Sequence, residues 1–330
     1  MRINDTIETI AAVWDDNPKQ SIYLEGPPGV GKTAITYEVA KKLGVPEDRV
    51  IIWRPSLHDP VDLSGVPSVN DGTTKWNPPA WLHQLQHGDW VLCIDELPQA
   101  VPMMQNALAG LKLDRFIGDV TLSDGVRVMS TGNRTKDKAG ANRVVSQLAN
   151  RVLRLEAEVH IDDWVEWALR NKIDTMGIAF LRWKPSALHD FDPDRFSNAT
   201  PRSWEMAFNI PTSMPDGHYY EALAGLVTEG WAAEYTGFRR LIGRLPSIDS
   251  ILMDPTNAEV PEEPEVKYAM VANLITRCSE DNYAGLLAYV ERLPKDFQVL
   301  FHKGIIEHAP KIMRTREFIQ WSTDNVDVFK

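Results

Sequence analysis

Hydrophobic positions in the first half of the chain alternate between two spacings. Short apolar runs rich in β-branched residues predict buried strands, and the stretches between them with apolar residues three and four apart predict helices. The predicted strands cover residues 21–24, 50–54, 90–94, 126–131 and 152–156, and the predicted helices cover residues 32–43 and 99–113. Strands that alternate with helices in this way are typical of a parallel α/β sheet.

The second half of the chain has helical spacing only. The predicted helices cover residues 162–170, 201–208, 218–242, 265–278, 282–292 and 295–307. Residues 245–265 hold six acidic residues, four prolines and neither Lys nor Arg, which predicts an exposed connector. We therefore expect an α/β core with a five-stranded parallel sheet over residues 1–159, a helical segment over residues 160–244 and an all-helical C-terminal extension over residues 245–330.

Composition narrows the class of protein. The 330 residues include 35 Lys and Arg against 46 Asp and Glu, a net charge of −11, which argues against nucleic acid as the partner. With two cysteines, no long apolar run and no signal-peptide pattern, the sequence predicts a cytoplasmic protein without a membrane segment. Residues 160–330 carry most of the negative charge, with 18 basic and 26 acidic residues.

A glycine-rich segment follows the first predicted strand and opens the first predicted helix. It satisfies the phosphate-loop pattern G-x-x-x-x-G-K-[ST] in the required strand–loop–helix context. The glycines allow backbone N–H groups to surround phosphates, the lysine reaches the β and γ phosphates, and the threonine hydroxyl binds Mg²⁺. The nucleotide-binding residues predicted here are Gly26, Pro27, Pro28, Gly29, Val30, Gly31, Lys32 and Thr33.

Two later strands end in polar residues that complete this chemistry. The run VLCIDE places Asp95 as a second magnesium ligand and Glu96 as the general base for the attacking water. The run STGNR places Asn133 beside the γ-phosphate, where an amide orients water without adding charge. Because the N-K-x-D signature of guanine recognition is absent from the sequence, we expect a nucleoside triphosphatase that uses ATP with Mg²⁺.

Two arginines stand near the last predicted strand, Arg143 and Arg151. An arginine at a domain edge is often only a solvated side chain. The functional interpretation is a guanidinium that a neighbouring subunit supplies to the γ-phosphate, where it stabilises transition-state charge.

These motifs together resemble the MoxR-type AAA+ ATPases, a family with relatives that activate Rubisco or act in gas-vesicle assembly. The resemblance covers GPPGVGKT, residues 62–81, VLCIDELPQAVPMMQNAL, STGNR, QLANRV and TPRSW, in family order. It implies a P-loop AAA+ αβα core followed by a helical lid, and a homo-oligomeric ring that is most often a hexamer. It also implies that Asn133 is sensor 1, that Arg151 is the arginine finger, with Arg143 as a second candidate, and that Arg202 is sensor 2, acting in its own subunit or in a neighbour.

The resemblance also implies two β-hairpins that face a central pore. The first covers residues 62–81 with Gly72 at its turn, and the second covers residues 116–128 with Asp124 and Gly125 at its turn. The C-terminal extension resembles that of small phage and bacterial members encoded beside a von Willebrand factor A-type protein, which implies such a partner.

The function predicted from the sequence is a MgATP-hydrolysing ring that remodels or activates a protein partner. One alternative is a nucleic-acid motor, such as a helicase or translocase, although the first hairpin offers only Lys75 against Asp62 and Asp71. A second alternative is a slow ATP-gated assembly switch whose output is partner binding alone. A small-molecule kinase would have no use for Arg151 or Arg202.

Overall fold

The structure is a computed structural model that describes residues 1–134, 137, 144–146 and 151–326. The chain divides into two compact units. The first unit comprises residues 1–160 with residues 192–194, and the second comprises residues 161–191 and the chain from residue 195 onward.

A five-stranded parallel sheet forms the centre of the first unit and confirms the predicted α/β core. Its strands are β1 (Ile22–Glu25), β2 (Val50–Trp53), β5 (Trp90–Ile94), β8 (Val126–Gly132) and β9 (Leu153–Glu156). They lie in the order β2-β5-β8-β1-β9, and every neighbouring pair is parallel. All five strands therefore end at the same edge of the sheet.

Helices cover both faces of this sheet and make it the middle of three layers. The helices of the first unit are α1 (Ile3–Asp16), α2 (Lys32–Lys42), α3 (Pro60–Ser64), α4 (Ala80–Gln84) and α5 (Pro102–Leu113). On β5, Val91 and Cys93 pack with residues of α1 and α2, whereas Leu92 and Ile94 pack with residues of α4 and α5. The inner strands β1, β5 and β8 are buried on both faces, which explains why their sequences are mostly apolar, whereas the edge strand β9 alternates buried and exposed residues.

Two antiparallel hairpins extend this unit. The first pairs β3 (Val66–Asn70) with β4 (Thr73–Asn77), and its turn at Gly72 is confirmed by a φ of +76°. The second pairs β6 (Phe116–Ile117) with β7 (Val120–Thr121). Its predicted turn was wrong: the strands meet at Gly118 (φ +53°), while Asp124 and Gly125 form the turn that leads into β8.

The second unit is helical, as predicted. Its helices are α6 (Ile161–Arg170), α7 (Thr175–Trp183), α8 (Pro201–Phe208), α9 (Asp216–Val227), α10 (Glu229–Arg239), α11 (Ile248–Met253), α12 (Pro264–Arg277), α13 (Tyr283–Val290), α14 (Lys295–His308) and α15 (Arg316–Asp324). Phe180 lies at the centre of an aromatic cluster, with ring centroids 5.4 Å from Trp204 and 5.2 Å from Tyr235. In the described part of the chain, no helix has the length and apolar character needed to cross a membrane.

Two predictions for this unit were wrong in detail. The single helix expected over residues 218–242 is broken at Thr228, whose φ of +83° lies outside the helical region and separates α9 from α10. The connector expected over residues 245–265 contains α11, whose Ile251 is fully buried. Burial of one apolar face thus orders a segment whose composition alone predicted exposure.

Candidate nucleotide site

The loop between β1 and α2 has the backbone shape of a phosphate cradle. Gly29 has a φ of +75° and Gly31 a φ of +94°, both in the left-handed region that glycine adopts without strain. Gly31 is the residue before α2, and no side chain caps that helix. The amino-terminal N–H groups and the positive end of the α2 dipole are therefore presented to the loop, an arrangement that attracts anions.

The Lys32 ammonium lies at the centre of this loop. Its Nζ donates to the carbonyl oxygens of Gly26 and Pro27, both at 3.0 Å, and to Oδ1 of Asn133 at 2.7 Å. These three acceptors are neutral, so they position the ammonium without cancelling its charge. The structure thus brings Asn133, at the end of β8, into direct contact with the loop lysine.

Asp95 follows β5 and faces the first turn of α2. Both of its carboxylate oxygens lie 3.4 Å from Oγ1 of Thr33, and Oδ1 accepts a hydrogen bond from Oγ1 of Thr131 at 2.7 Å. Asp95 is only 5% exposed. Its oxygens are therefore held in place by protein donors beside the threonine hydroxyl.

Glu96 occupies a strained backbone position. Its φ of +58° and ψ of +40° are left-handed values, which cost about 1 kcal/mol or more for a residue with a Cβ. Its N–H donates to Oγ1 of Thr131 at 3.0 Å. Thr131 thus bridges the Asp95 carboxylate and the Glu96 backbone and holds both at the end of β5.

Thr131 and Arg54 also belong to this group, although no motif in the sequence marks them. The guanidinium Nε of Arg54, which follows β2, donates to Oδ2 of Asp95 at 3.1 Å. Ile94 pairs with Ser130 in the sheet, so Asp95 and Thr131 follow at matching positions on neighbouring strands. The signal that could have found Thr131 is therefore the strand register, which the sequence analysis did not work out.

Arg151 does not lie at this group in its own chain. Arg151 is exposed and precedes β9 by two residues, at the amino end of the strands, whereas the loop follows their carboxyl end. Strand β9 lies between Arg151 and the carboxyl end of the sheet, and its four residues span roughly 13 Å at 3.3 Å per residue, which exceeds the length of one arginine side chain. Arg202 is an exposed residue in α8 of the second unit. Arg143 lies outside the described residues.

This group of residues fits a nucleotide with Mg²⁺. The positive-φ glycines, the bare amino terminus of α2 and the Lys32 ammonium suit a chain of phosphates. The Thr33 hydroxyl and the Asp95 carboxylate are hard oxygen ligands, which Mg²⁺ prefers, and they already lie side by side.

One family model matches the part of the chain that holds this group. Residues 21–152 match the family model "AAA domain (dynein-related subfamily)". No curated protein matches the chain. Among solved structures, a crystal structure of NtrX from Brucella abortus aligns over 98% of this chain and 67% of that one, with 16% identity and a TM-score of 0.41. A second NtrX structure from Brucella abortus, in complex with ADP, aligns over 99% of this chain and 68% of that one, with 16% identity and a TM-score of 0.36.

The family match covers four of the five strands of the sheet, the phosphate loop and the acidic strand ends, which include the parts that form the group described above. Residues 21–152 are therefore a AAA domain with the AAA+ αβα fold, and the protein is an ATPase that uses ATP with Mg²⁺.

Proposed function

We propose that this ATPase is a MoxR-type member that acts in the cytoplasm. It forms a homo-oligomeric ring, proposed to be a hexamer, and remodels or activates a protein partner. The observation that carries the proposal is the separation of Arg151 from the nucleotide loop of its own chain. Head-to-tail contact between subunits would bring the amino-end edge of one sheet towards the nucleotide of the next. A ring closes such contacts without leaving an unpaired surface.

The residues at the loop have distinct roles in this proposal. Lys32 holds the β and γ phosphates, and Thr33 and Asp95 hold Mg²⁺, which when bound neutralises the charge on the phosphate oxygens. The Glu96 carboxylate accepts a proton from the attacking water, and the Asn133 amide orients that water. Among the remaining loop residues, Gly29, Val30 and Gly31 bind the phosphates through their backbone N–H groups. Gly26, whose N–H donates to the carbonyl oxygen of Gly132, and Pro27 and Pro28, which have no N–H, shape the loop.

Positive charge for the transition state comes from other subunits or from the helical unit. Arg151, with Arg143 as the second candidate, supplies a guanidinium in trans. Arg202 supplies another from the helical lid over residues 160–244, whose place in the ring sets whether it serves its own subunit or the next.

The partner is proposed to be a von Willebrand factor A-type protein. Support comes from the resemblance of the C-terminal extension, over residues 245–330, and from its charge. Glu259, Glu262 and Glu263 lie on the surface near α11 and α12. The first hairpin adds exposed apolar side chains, with Val69 75% exposed and Trp76 41% exposed, which suit contact with protein rather than with phosphate backbone.

The test is the mass and turnover of the Glu96→Gln variant. The amide keeps the size of the side chain but cannot accept the proton, so we expect ATP binding with a loss of turnover of at least about a hundredfold. Trapped in the ATP state, the variant should form a closed oligomer of about six chains, measured by native mass spectrometry.

Lys32→Ala is the matched control, since it removes the phosphate contact and should give neither binding nor assembly. A Glu96→Gln protein that stays monomeric with ATP would contradict the ring. Turnover at the unsubstituted rate would remove Glu96 from the mechanism, and strong stimulation of turnover by DNA or RNA would favour the nucleic-acid motor.

A further inference from the structure

The permanently charged guanidinium of Arg54 lies beside the carboxylate of Asp95, the proposed Mg²⁺ ligand. Its Nε donates to Oδ2 of Asp95 at 3.1 Å. The two side chains differ in exposure: that of Arg54 is half exposed, whereas that of Asp95 is buried. The buried partner is therefore fixed, and the exposed partner is free to swing into solvent.

The two oxygens of Asp95 have different donors. Oδ1 receives the 2.7 Å hydrogen bond from Thr131, whereas the 3.1 Å bond from Arg54 goes to Oδ2. Thr33 lies 3.4 Å from both oxygens. Loss of Arg54 would leave Asp95 held by Thr131 at Oδ1, with Oδ2 open beside the Thr33 hydroxyl.

The backbone around Arg54 is anchored independently of its side chain. The N–H of Asp95 donates to the carbonyl oxygen of Trp53 at 2.8 Å, which continues the pairing of β2 with β5. Pro55, the next residue, is buried. A movement of Arg54 is therefore a side-chain movement that leaves both strands in place.

We propose that Arg54 is a positioning residue that occupies Asp95 in the metal-free chain and competes with Mg²⁺ for it. A guanidinium cannot lose its proton at accessible pH, so a divalent cation arriving beside Thr33 meets a fixed positive charge. Binding of Mg²⁺ with nucleotide displaces Arg54 into solvent. This inference rests on the assignment of Asp95 and Thr33 to the metal in the proposed function.

The test measures metal affinity without turnover. A fluorescent ATP analogue is bound at a fixed concentration, and its anisotropy is followed as Mg²⁺ is added after EDTA treatment. Removal of one charge beside the metal should strengthen its binding, so for Arg54→Gln we expect the half-saturating Mg²⁺ concentration to fall about threefold to tenfold. Binding of the analogue in EDTA should change less than about twofold, and Arg54→Lys should retain most of the competition.

Arg49→Gln is the matched control. It makes the same charge change at the opposite end of β2, roughly 16 Å away along the strand and beyond the screening length at ordinary salt. Its half-saturating Mg²⁺ concentration should equal that of the unsubstituted protein. An unchanged or higher value for Arg54→Gln would overturn the proposal.

Loss of analogue binding in EDTA by Arg54→Gln would also overturn it, because Arg54 would then be a phosphate ligand. The Lys32→Ala variant tests separately whether the proposed nucleotide site is correct. If that variant binds the analogue as well as the unsubstituted protein does, the nucleotide site itself is wrong, whatever the result for Arg54.

Discussion

Lys112 carries an ionisable group in the middle of the first unit. It is 1% exposed, and its Nζ donates to the carbonyl oxygen of Ile22 at 3.2 Å and to Oγ of Ser130. Burial lowers the pKa of this lysine to about 7, because the charged form loses its hydration there. Lys112 therefore links α5 to the two central strands, β1 and β8, at the cost of burying an amine.

This burial predicts a change of stability with pH. Between pH 7 and 10.5 the unfolded chain holds a proton on Lys112 that the folded chain has released, so the free energy of unfolding should rise with pH in that window. The Lys112→Met variant should lack this contribution, which amounts to a few kcal/mol. The measurement is the free energy of urea unfolding of both proteins at pH 7 and pH 9.5, and the contribution is the difference between their changes with pH. If the free energy of unfolding changed equally with pH in both proteins, the result would contradict a lowered pKa for Lys112.

At the scale of single residues, the sequence predicted the loop and the strand ends but not the contacts between strands. Lys32, Thr33, Asp95 and Asn133 could be predicted because a motif and the ends of apolar runs mark them, and the structure brings them together. The contacts of Asp95 with Arg54 and Thr131 depend on which strands are neighbours. Composition and periodicity do not contain that information.

Gly65 determines how the first hairpin leaves the unit. Its φ is +84°, and a Cβ added there would lie 2.1 Å from the carbonyl oxygen of Asn77, at the end of β4. The two ends of the hairpin thus approach each other more closely than any side chain permits. Gly72, in the turn, also has a positive φ but has no atom within 4 Å of an added Cβ.

The Gly65→Ala substitution should therefore loosen the hairpin more than Gly72→Ala does. Both place an alanine at a positive φ, which costs about 1–3 kcal/mol, but only Gly65→Ala adds a backbone clash. We expect faster tryptic cleavage after Lys75 in Gly65→Ala, with nucleotide binding unchanged because the loop lies on other elements. Equal cleavage rates in the two variants would show that the close approach has no such effect.

His302 on α14 is a buried titratable side chain of the helical unit, as Lys112 is of the first unit. Its ring stacks on Trp321 of α15 with a centroid distance of 3.3 Å, and Nε2 lies 3.1 Å from the hydroxyl of Tyr283. Burial lowers the pKa of His302 to about 4, and the ammonium of Lys295 adds to the shift. The imidazole is therefore neutral in the folded protein at neutral pH.

Acid should destabilise this unit through His302. As the pH falls from 6.5 towards 4, the unfolded chain gains a proton that the folded chain does not, so the free energy of unfolding falls, by about 3 kcal/mol at most. His302→Gln should be less stable at pH 7 but should lose less stability on acidification. Urea unfolding of both proteins at pH 7 and pH 4.5, followed by circular dichroism, measures the difference; an identical loss would contradict the assignment to His302.

At the scale of elements, the predictions failed where tertiary contacts override local pattern. Thr228 itself is neither Gly nor Pro, yet it adopts a positive φ between two helices, and the nearby Gly225 and Gly230 were not used to predict a break. The acidic and proline-rich composition of residues 245–265 predicted exposure, whereas Ile251 packs inside. Parallel strands were predicted well because burial on both faces gives them an unmistakable apolar pattern.

At the scale of the assembled protein, the trans role of Arg151 can be tested by mixing two inactive variants. Arg151→Ala keeps Lys32, and Lys32→Ala keeps Arg151, so an interface between them can combine both intact groups. Random assembly of equal amounts restores about a quarter of the sites, since each has one chance in two of the correct chain on either side. We expect about a quarter of the unsubstituted ATPase rate in the mixture, measured by phosphate release.

Each variant alone, at the same total concentration, is the control for that experiment. Activity no greater than the average of the two separate variants would place Arg151 outside the site of its neighbour. The charge of residues 1–159 is compatible with the proposed ring. With 17 basic and 20 acidic residues this part is nearly balanced, so its copies in neighbouring subunits would repel one another little.

Three stacked rings lie where the first hairpin's segment begins and ends. Trp53 at the end of β2 stacks on His58 with a centroid distance of 5.0 Å and on Trp81 of α4 with a distance of 5.3 Å. The chain from Arg54 to Ala80 therefore begins and ends at the same group of stacked rings. Because its ends are already joined, doubling its length would add only about 0.6 kcal/mol of closure entropy. The hairpin within this segment, residues 66–77, can therefore change in length at little cost in closure entropy, whereas Arg54 at the site and the fully buried Leu63 must stay in place.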